Sequence, residues 1–151
     1  MGGVCFELRG INALWRISID GEQPQRLTDR AVEWPWISPD SKWIAAGYTE
    51  SGKPKLAMFS IDGGAPVKVF DAAPKTIFHF GIRWTADGKA IAYRDFWHGL
   101  WIQSVDGGPP QRMPGLPEGK IFSFGWSRDG KLFAFTRASE FRDLVLINNS
   151  N

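Results

Sequence analysis

Leu100-Trp101-Ile102-Gln103-Ser104-Val105-Asp106-Gly107-Gly108 decides the fold, because the same pattern precedes it twice. Leu14-Trp15-Arg16-Ile17-Ser18-Ile19-Asp20-Gly21 and Leu56-Ala57-Met58-Phe59-Ser60-Ile61-Asp62-Gly63-Gly64 carry it, with Asp20, Asp62 and Asp106 spaced 42 and 44 residues apart. A truncated copy, Leu144-Val145-Leu146-Ile147, starts 44 residues after Leu100. A second motif alternates with the first. It reads Ile37-Ser38-Pro39-Asp40-Ser41-Lys42-Trp43-Ile44-Ala45, then Trp84-Thr85-Ala86-Asp87-Gly88-Lys89-Ala90-Ile91-Ala92-Tyr93, then Trp126-Ser127-Arg128-Asp129-Gly130-Lys131-Leu132-Phe133-Ala134-Phe135. Its aspartates lie 47 and 42 residues apart, so length varies between the motifs and not within them.

Each motif has the physics of a β-hairpin. Asp-Gly between two apolar runs is a strong hairpin cue, because glycine accepts the positive φ such turns require. Aspartate also bonds the backbone two residues on. The flanking runs are β-branched and aromatic, with partial alternation. Four strands per repeat follow: strand a ends at the residue before the first turn, strand b follows its lysine, strand c runs into Asp-Gly, and strand d is the short segment after it. A four-stranded antiparallel unit every 40 to 45 residues is the blade of a β-propeller. The fold class is therefore all-β, and a stacked sandwich of hairpins is the weaker alternative.

Composition agrees. Of 151 residues, 14% are aromatic, with eight Trp and eleven Phe, and 17 Gly and ten Pro are too many breakers for a helical bundle. Net charge is +2 with no run of like sign, which gives no electrostatic case for nucleic acid or a membrane surface. No stretch approaches the roughly 18 apolar residues of a membrane span. The single cysteine, Cys5, excludes an internal disulfide and a Cys-rich zinc site. The N-terminus lacks the basic start and apolar run of a signal peptide, and the compartment stays unassigned.

The second motif resembles the W-S-P-D-G-K-x-I-A-F element of TolB-like, or PD40, "WD40-like" propellers, and the Leu-Trp-x-x-x-x-Asp-Gly-Gly strands are similar to that family's partner element. The resemblance runs from about Val4 to Ile147. Ser41 stands where Gly is usual, and Ala86 and Arg128 where Pro is usual. The resemblance implies a scaffold that recognises protein or small ligands, in one of three settings. These are the periplasmic TolB protein of the cell envelope, a C-terminal sensor-like domain behind bacterial kinase or regulator domains, and the gating propeller of prolyl-oligopeptidase-like serine peptidases.

Strand counting predicts about three and a half blades: an incomplete unit over 1–31 (strands b-c-d), blades at 32–70 and 78–113, and an incomplete unit over 121–148 (strands a-b-c). Such a set cannot close a ring, since closed propellers have at least four blades. The chain is expected to be the C-terminal part of a larger bacterial propeller protein. Its open sheet edges or blade faces would permit self-association. The alternative is the gating propeller of a peptidase without its catalytic domain.

No catalytic constellation stands out. Gly125-Trp126-Ser127-Arg128-Asp129 has part of a G-x-S-x-G elbow, but Ser38 and Thr85 occupy the same repeat position, so the hydroxyl belongs to the turn. His79 and His98 lack ligand-spaced partners, no calcium loop is present, and neither metal nor cofactor is expected. Asn148-Asn149-Ser150 is formally a glycosylation sequon. Trp84 and Trp126 read as inter-blade core.

Positions that break the repeat read as a ligand or partner site on the loop face: the b–c loop residues Arg94, Asp95, Trp97 and His98, with Trp34, Trp36 and Arg83 from inner strands. The plainer alternative makes Phe96 and Trp97 a blade cap and Arg94–Asp95 a surface ion pair.

Overall fold

A computed structural model describes residues 2–6, 13–73, 76, 78, 81–95, 99–117 and 120–138. Thirteen strands and no α-helix occur among them. They form four antiparallel sheets in chain order. The first contains β1 (Gly2–Phe6), β2 (Leu14–Ser18) and β3 (Gln25–Arg26). The second contains β4 (Val32–Ile37), β5 (Trp43–Glu50), β6 (Lys53–Ser60) and β7 (Lys68–Asp71). The third contains β8 (Ile82–Trp84), β9 (Ala90–Asp95), β10 (Gly99–Ser104) and β11 (Gln111–Arg112). The last pairs β12 (Lys120–Trp126) with β13 (Phe133–Ala138). Each sheet is an up-and-down meander, its neighbours in space being its neighbours in sequence.

The sheets stack face to face through three apolar layers, and period-two alternation decides which layer a residue joins. Along β5, Ile44, Ala46 and Tyr48 pack towards Leu14 and Leu27 of the first sheet, while Ala45 faces the third sheet. Leu56 and Met58 of β6 join Ala45 against Ile82, Trp84, Ile91 and Tyr93. Ala92 and Leu100 pack on Ile121 and Phe124 of the last sheet. Trp84 is core as expected, and its indole Nε1 donates to the Trp36 carbonyl of the preceding blade at 2.9 Å. Tyr93, fully buried, accepts from the Ala73 amide at 3.0 Å, and burial pushes its phenol up to about 12.

Polar ties join blades as well. Arg16 donates to the Ile61 carbonyl at 3.1 Å and to the Asp62 carboxylate at 3.2 Å in the next blade's c–d turn. The Gly64 amide donates to the Leu27 carbonyl at 2.7 Å, and a Cβ at Gly63 would lie 2.6 Å from that oxygen. Only glycine permits this approach of backbone to backbone.

The a–b turns repeat one hydrogen-bond pattern three times. Ser38, Thr85 and Ser127 donate from their hydroxyls to Asp40, Asp87 and Asp129 at 2.5, 2.6 and 2.5 Å. Each hydroxyl accepts from the amide five residues on, of Trp43, Ala90 and Leu132. Each aspartate accepts from the amide of the turn lysine, Lys42, Lys89 or Lys131. The left-handed position is Ser41 (φ 60°), Gly88 (φ 70°) and Gly130 (φ 71°). Lys131 and Leu132 thus complete the third turn, and strand b of that blade begins at Phe133, two residues after its lysine. The segment Leu144–Ile147, read as a further strand c, and the sequon at 148–150 lie outside the described residues.

Candidate functional site at the inner strands

The inner strands β4, β8 and β12 carry residues that differ from blade to blade. Aligned on the turns, Trp36, Arg83 and Gly125 are equivalent, each one residue before the packing position Ile37, Trp84 or Trp126. A β-bulge sets this phase in β4: Glu33 pairs Gly47 and Trp36 pairs Ala45, so β4 has one residue more than its partner. Val32 and Ile37, five residues apart, consequently both pack into the first inter-blade layer, and Trp36 is left exposed. Trp34 sits inside the bulge at φ 55°, a left-handed conformation unfavourable for so large a residue. A second bulge in β12, between Ile121 and Ser123, likewise brings Ile121 and Phe124 into one layer.

Arg83 lies over Trp36. Its guanidinium carbon is 3.5 Å from the ring centroid, and its Nη1 donates to the Ile82 carbonyl at 2.9 Å. Burial holds this guanidinium below its ordinary value. Stacking on an indole face compensates part of the lost hydration. Beside the pair runs an open cleft of about 510 Å³ crossing three blades, walled by Trp36, Arg83, Trp126 and Arg128 with Pro39 and Ala86 at its rim. No atom lies within 4 Å of where a Gly125 Cβ would stand, so the missing side chain leaves the cleft floor open.

The sequence-derived candidates therefore divide. Trp36 and Arg83 meet in one cleft, at the blade end bearing the a–b turns, and Trp34 lies nearby in the β4 bulge, 40% exposed. Arg94 and Asp95 lie at the far end of β9, towards the b–c loop, so the five described candidates do not form one loop face. The expected surface ion pair is also corrected: Arg94 and Asp95 are only 4% and 3% exposed. Arg94 donates to the Ile121 carbonyl of the next blade, and Asp95 accepts from Trp101 Nε1 at 2.7 Å. Burial without such bonds would be costly, so both side chains serve as internal ties. Trp97 and His98, like Phe96 and His79, lie outside the described residues. Arg128 went unrecognised in the sequence, although its place where the motif usually has Pro was visible there.

Among the described residues no group of three or more His, Cys, Asp or Glu is placed to hold a metal, and no helix is long and apolar enough to cross a membrane. The hydroxyls of Ser38, Thr85 and Ser127 are committed to their turns.

Stacked antiparallel sheets in chain order, two of them complete four-stranded meanders, define a set of β-propeller blades. The chain has the fold of TolB-type propellers. It superimposes on a TolB structure from Agrobacterium tumefaciens with a TM-score of 0.62 and 24% identity, covering 83% of this chain and 47% of that one. TolB from Acinetobacter baumannii gives 0.59 and 20%, covering 87% and 33%. A gluconolactonase from Xanthomonas campestris gives 0.62 and 17%, covering 86% and 43%, so the fold is shared across different activities. No family model matches the sequence. Among curated proteins, Tricorn protease homolog 1 of Streptomyces coelicolor is 29% identical over 122 residues. That match covers 72% of this chain, which spans about a tenth (11%) of that relative's length.

Proposed function

We propose that this chain is a non-catalytic recognition module that binds a protein partner or small ligand at the inner-strand cleft. The observation that carries the reading is the Arg83–Trp36 stack, set in an open cleft where equivalent repeat positions hold Trp, Arg and Gly. The packing position one residue on exchanges only apolar side chains, Ile37, Trp84 and Trp126, whereas positions facing a ligand are free to diverge. Half-exposed tryptophan and arginine are also the side chains most enriched at binding hot spots.

Selection of displayed peptides against the chain tests the reading. Peptides that bind the wild type saturably and lose at least tenfold in affinity for a Trp36→Ala/Arg83→Ala variant support it. A selection whose winners bind both proteins equally, or that enriches nothing, refutes it.

The similarity to the Tricorn protease homologue favours a second reading: a propeller that accompanies a peptidase and admits its peptides. A peptide-accepting cleft suits either setting. The coding sequence flanking this chain separates them, a hydrolase domain favouring the second and a kinase or regulator domain the first.

A further inference from the structure

We propose that the cleft recognises a carboxylate carried on an acidic, aromatic peptide segment, an inference that rests on the recognition reading above. Arg83 and Arg128 both wall the cleft, on blades three and four. Both occupy positions where the repeat otherwise has uncharged residues: Trp36 and Gly125 match Arg83, and Pro39 and Ala86 match Arg128. Neither arginine forms an ion pair among the described residues, and no carboxylate lines this cleft. Arg83 is partly desolvated and fixed against Trp36, with one Nη bonded to Ile82 and the rest of its fork of donors uncommitted. A planar guanidinium held in this way is preorganised for a carboxylate.

The surroundings select among anions. Asp87 and Asp129, in the adjoining turns, line the neighbouring cleft together with Arg128 and Lys89. Both aspartates are held below the ordinary carboxylate range, first by the hydroxyls of Thr85 and Ser127, so they remain ionised. Set against Lys89 and Arg128, they leave no excess of cations there for a phosphate dianion, whereas a single carboxylate needs only one guanidinium. Trp36, Trp126, Pro39 and Ala86 offer apolar surface on either side of the cation, which a carboxylate alone would leave uncovered and an adjacent aromatic side chain would cover.

The test uses fluorescence anisotropy with the 151-residue chain and a labelled, amidated hexapeptide of alternating Phe and Glu, beside a copy in which Gln replaces Glu. The Glu probe is expected to bind at least tenfold tighter than the Gln copy, with a preference that shrinks as salt is raised. Arg83→Gln brings the ratio of the two affinities near one, Arg83→Lys retains part of it, and Arg128→Gln lowers it about threefold. Gly125→Leu fills the floor and abolishes binding of both probes. For the three arginine variants the readout is a ratio, which mere loss of folded protein would not move. Equal binding of both probes to the wild type, a preference that survives Arg83→Gln, or no binding of the Glu probe overturns the carboxylate assignment. A preference for inorganic phosphate over glutarate in competition also overturns it. If display-selected peptides still depend on Trp36 and Arg83 while the Glu probe fails, the recognition reading stands and only the carboxylate falls.

Discussion

Exchanging the left-handed turn residue between two blades isolates one local backbone cost. Ser41 adopts φ 60° where Gly88 adopts φ 70° in an otherwise identically bonded turn. A left-handed conformation costs an L-residue about 1–2 kcal/mol. Glycine returns about 0.4–1 kcal/mol of that through its freer unfolded chain. Ser41→Gly should therefore stabilise by about 0.5–1 kcal/mol, and Gly88→Ser should destabilise by a similar amount. Sterics do not complicate the second change, since a Cβ at Gly88 would meet only Pro39 Cδ, at 3.8 Å. Gly130→Ser should cost more, because its Cβ would lie 3.1 Å from that of Ala86. Urea unfolding followed by tryptophan fluorescence reads these differences, provided the m-value is unchanged. In a thermal scan each corresponds to roughly 1–4 °C. The Ser41→Gly/Gly88→Ser double variant should return close to the wild type. A neutral or destabilising Ser41→Gly, together with a harmless Gly88→Ser, would refute the assignment of strain to Ser41.

Three further outcomes are expected. Thr85→Val keeps the side-chain shape but removes the bonds to Asp87 and the Ala90 amide, and should cost about 1–2 kcal/mol in the same urea assay. Asp40, Asp87 and Asp129 are held below the ordinary carboxylate range first by their Ser or Thr hydroxyls, then by lysine amides. Their contribution is therefore fully present above the unfolded carboxylate value of about 3.9 and is lost as pH falls through the lower folded values. Unfolding midpoints taken from pH 6 downward should show this acid-side decline, and Thr85→Val should flatten the share due to Asp87. Trp84→Phe removes the indole bond to the Trp36 carbonyl between blades and should cost about 1–3 kcal/mol, read as a lowered urea midpoint.

The turns were legible because their chemistry is local. Ser or Thr, then Asp two residues on, then Lys, recur three times and form the same bonded loop each time. A serine two residues before each Asp-Gly, at Ser18, Ser60 and Ser104, was equally visible, and its hydroxyl accepts from the aspartate amide in all three c–d turns. The β4 bulge was not legible. It depends on which face of β4 the first blade covers, a relation between segments that Trp34-Pro35-Trp36 does not encode alone. Arg94 and Asp95 misled for a related reason. Adjacent opposite charges beside a segment with no counterpart in the other repeats look solvated, and only the approach of β12 and Trp101 reveals partners that make burial tolerable.

Each a–b turn binds its own ends through one hydroxyl, one carboxylate and backbone groups, and asks nothing of the residue between them. Pro39, Ala86 and Arg128 hold that place in three turns of the same geometry. Together with 36, 83 and 125, these positions form a six-site palette that could be randomised while the blades keep their shape. A combinatorial library built there would explore new specificities with little penalty in folding, which makes this face a natural starting point for engineered binders.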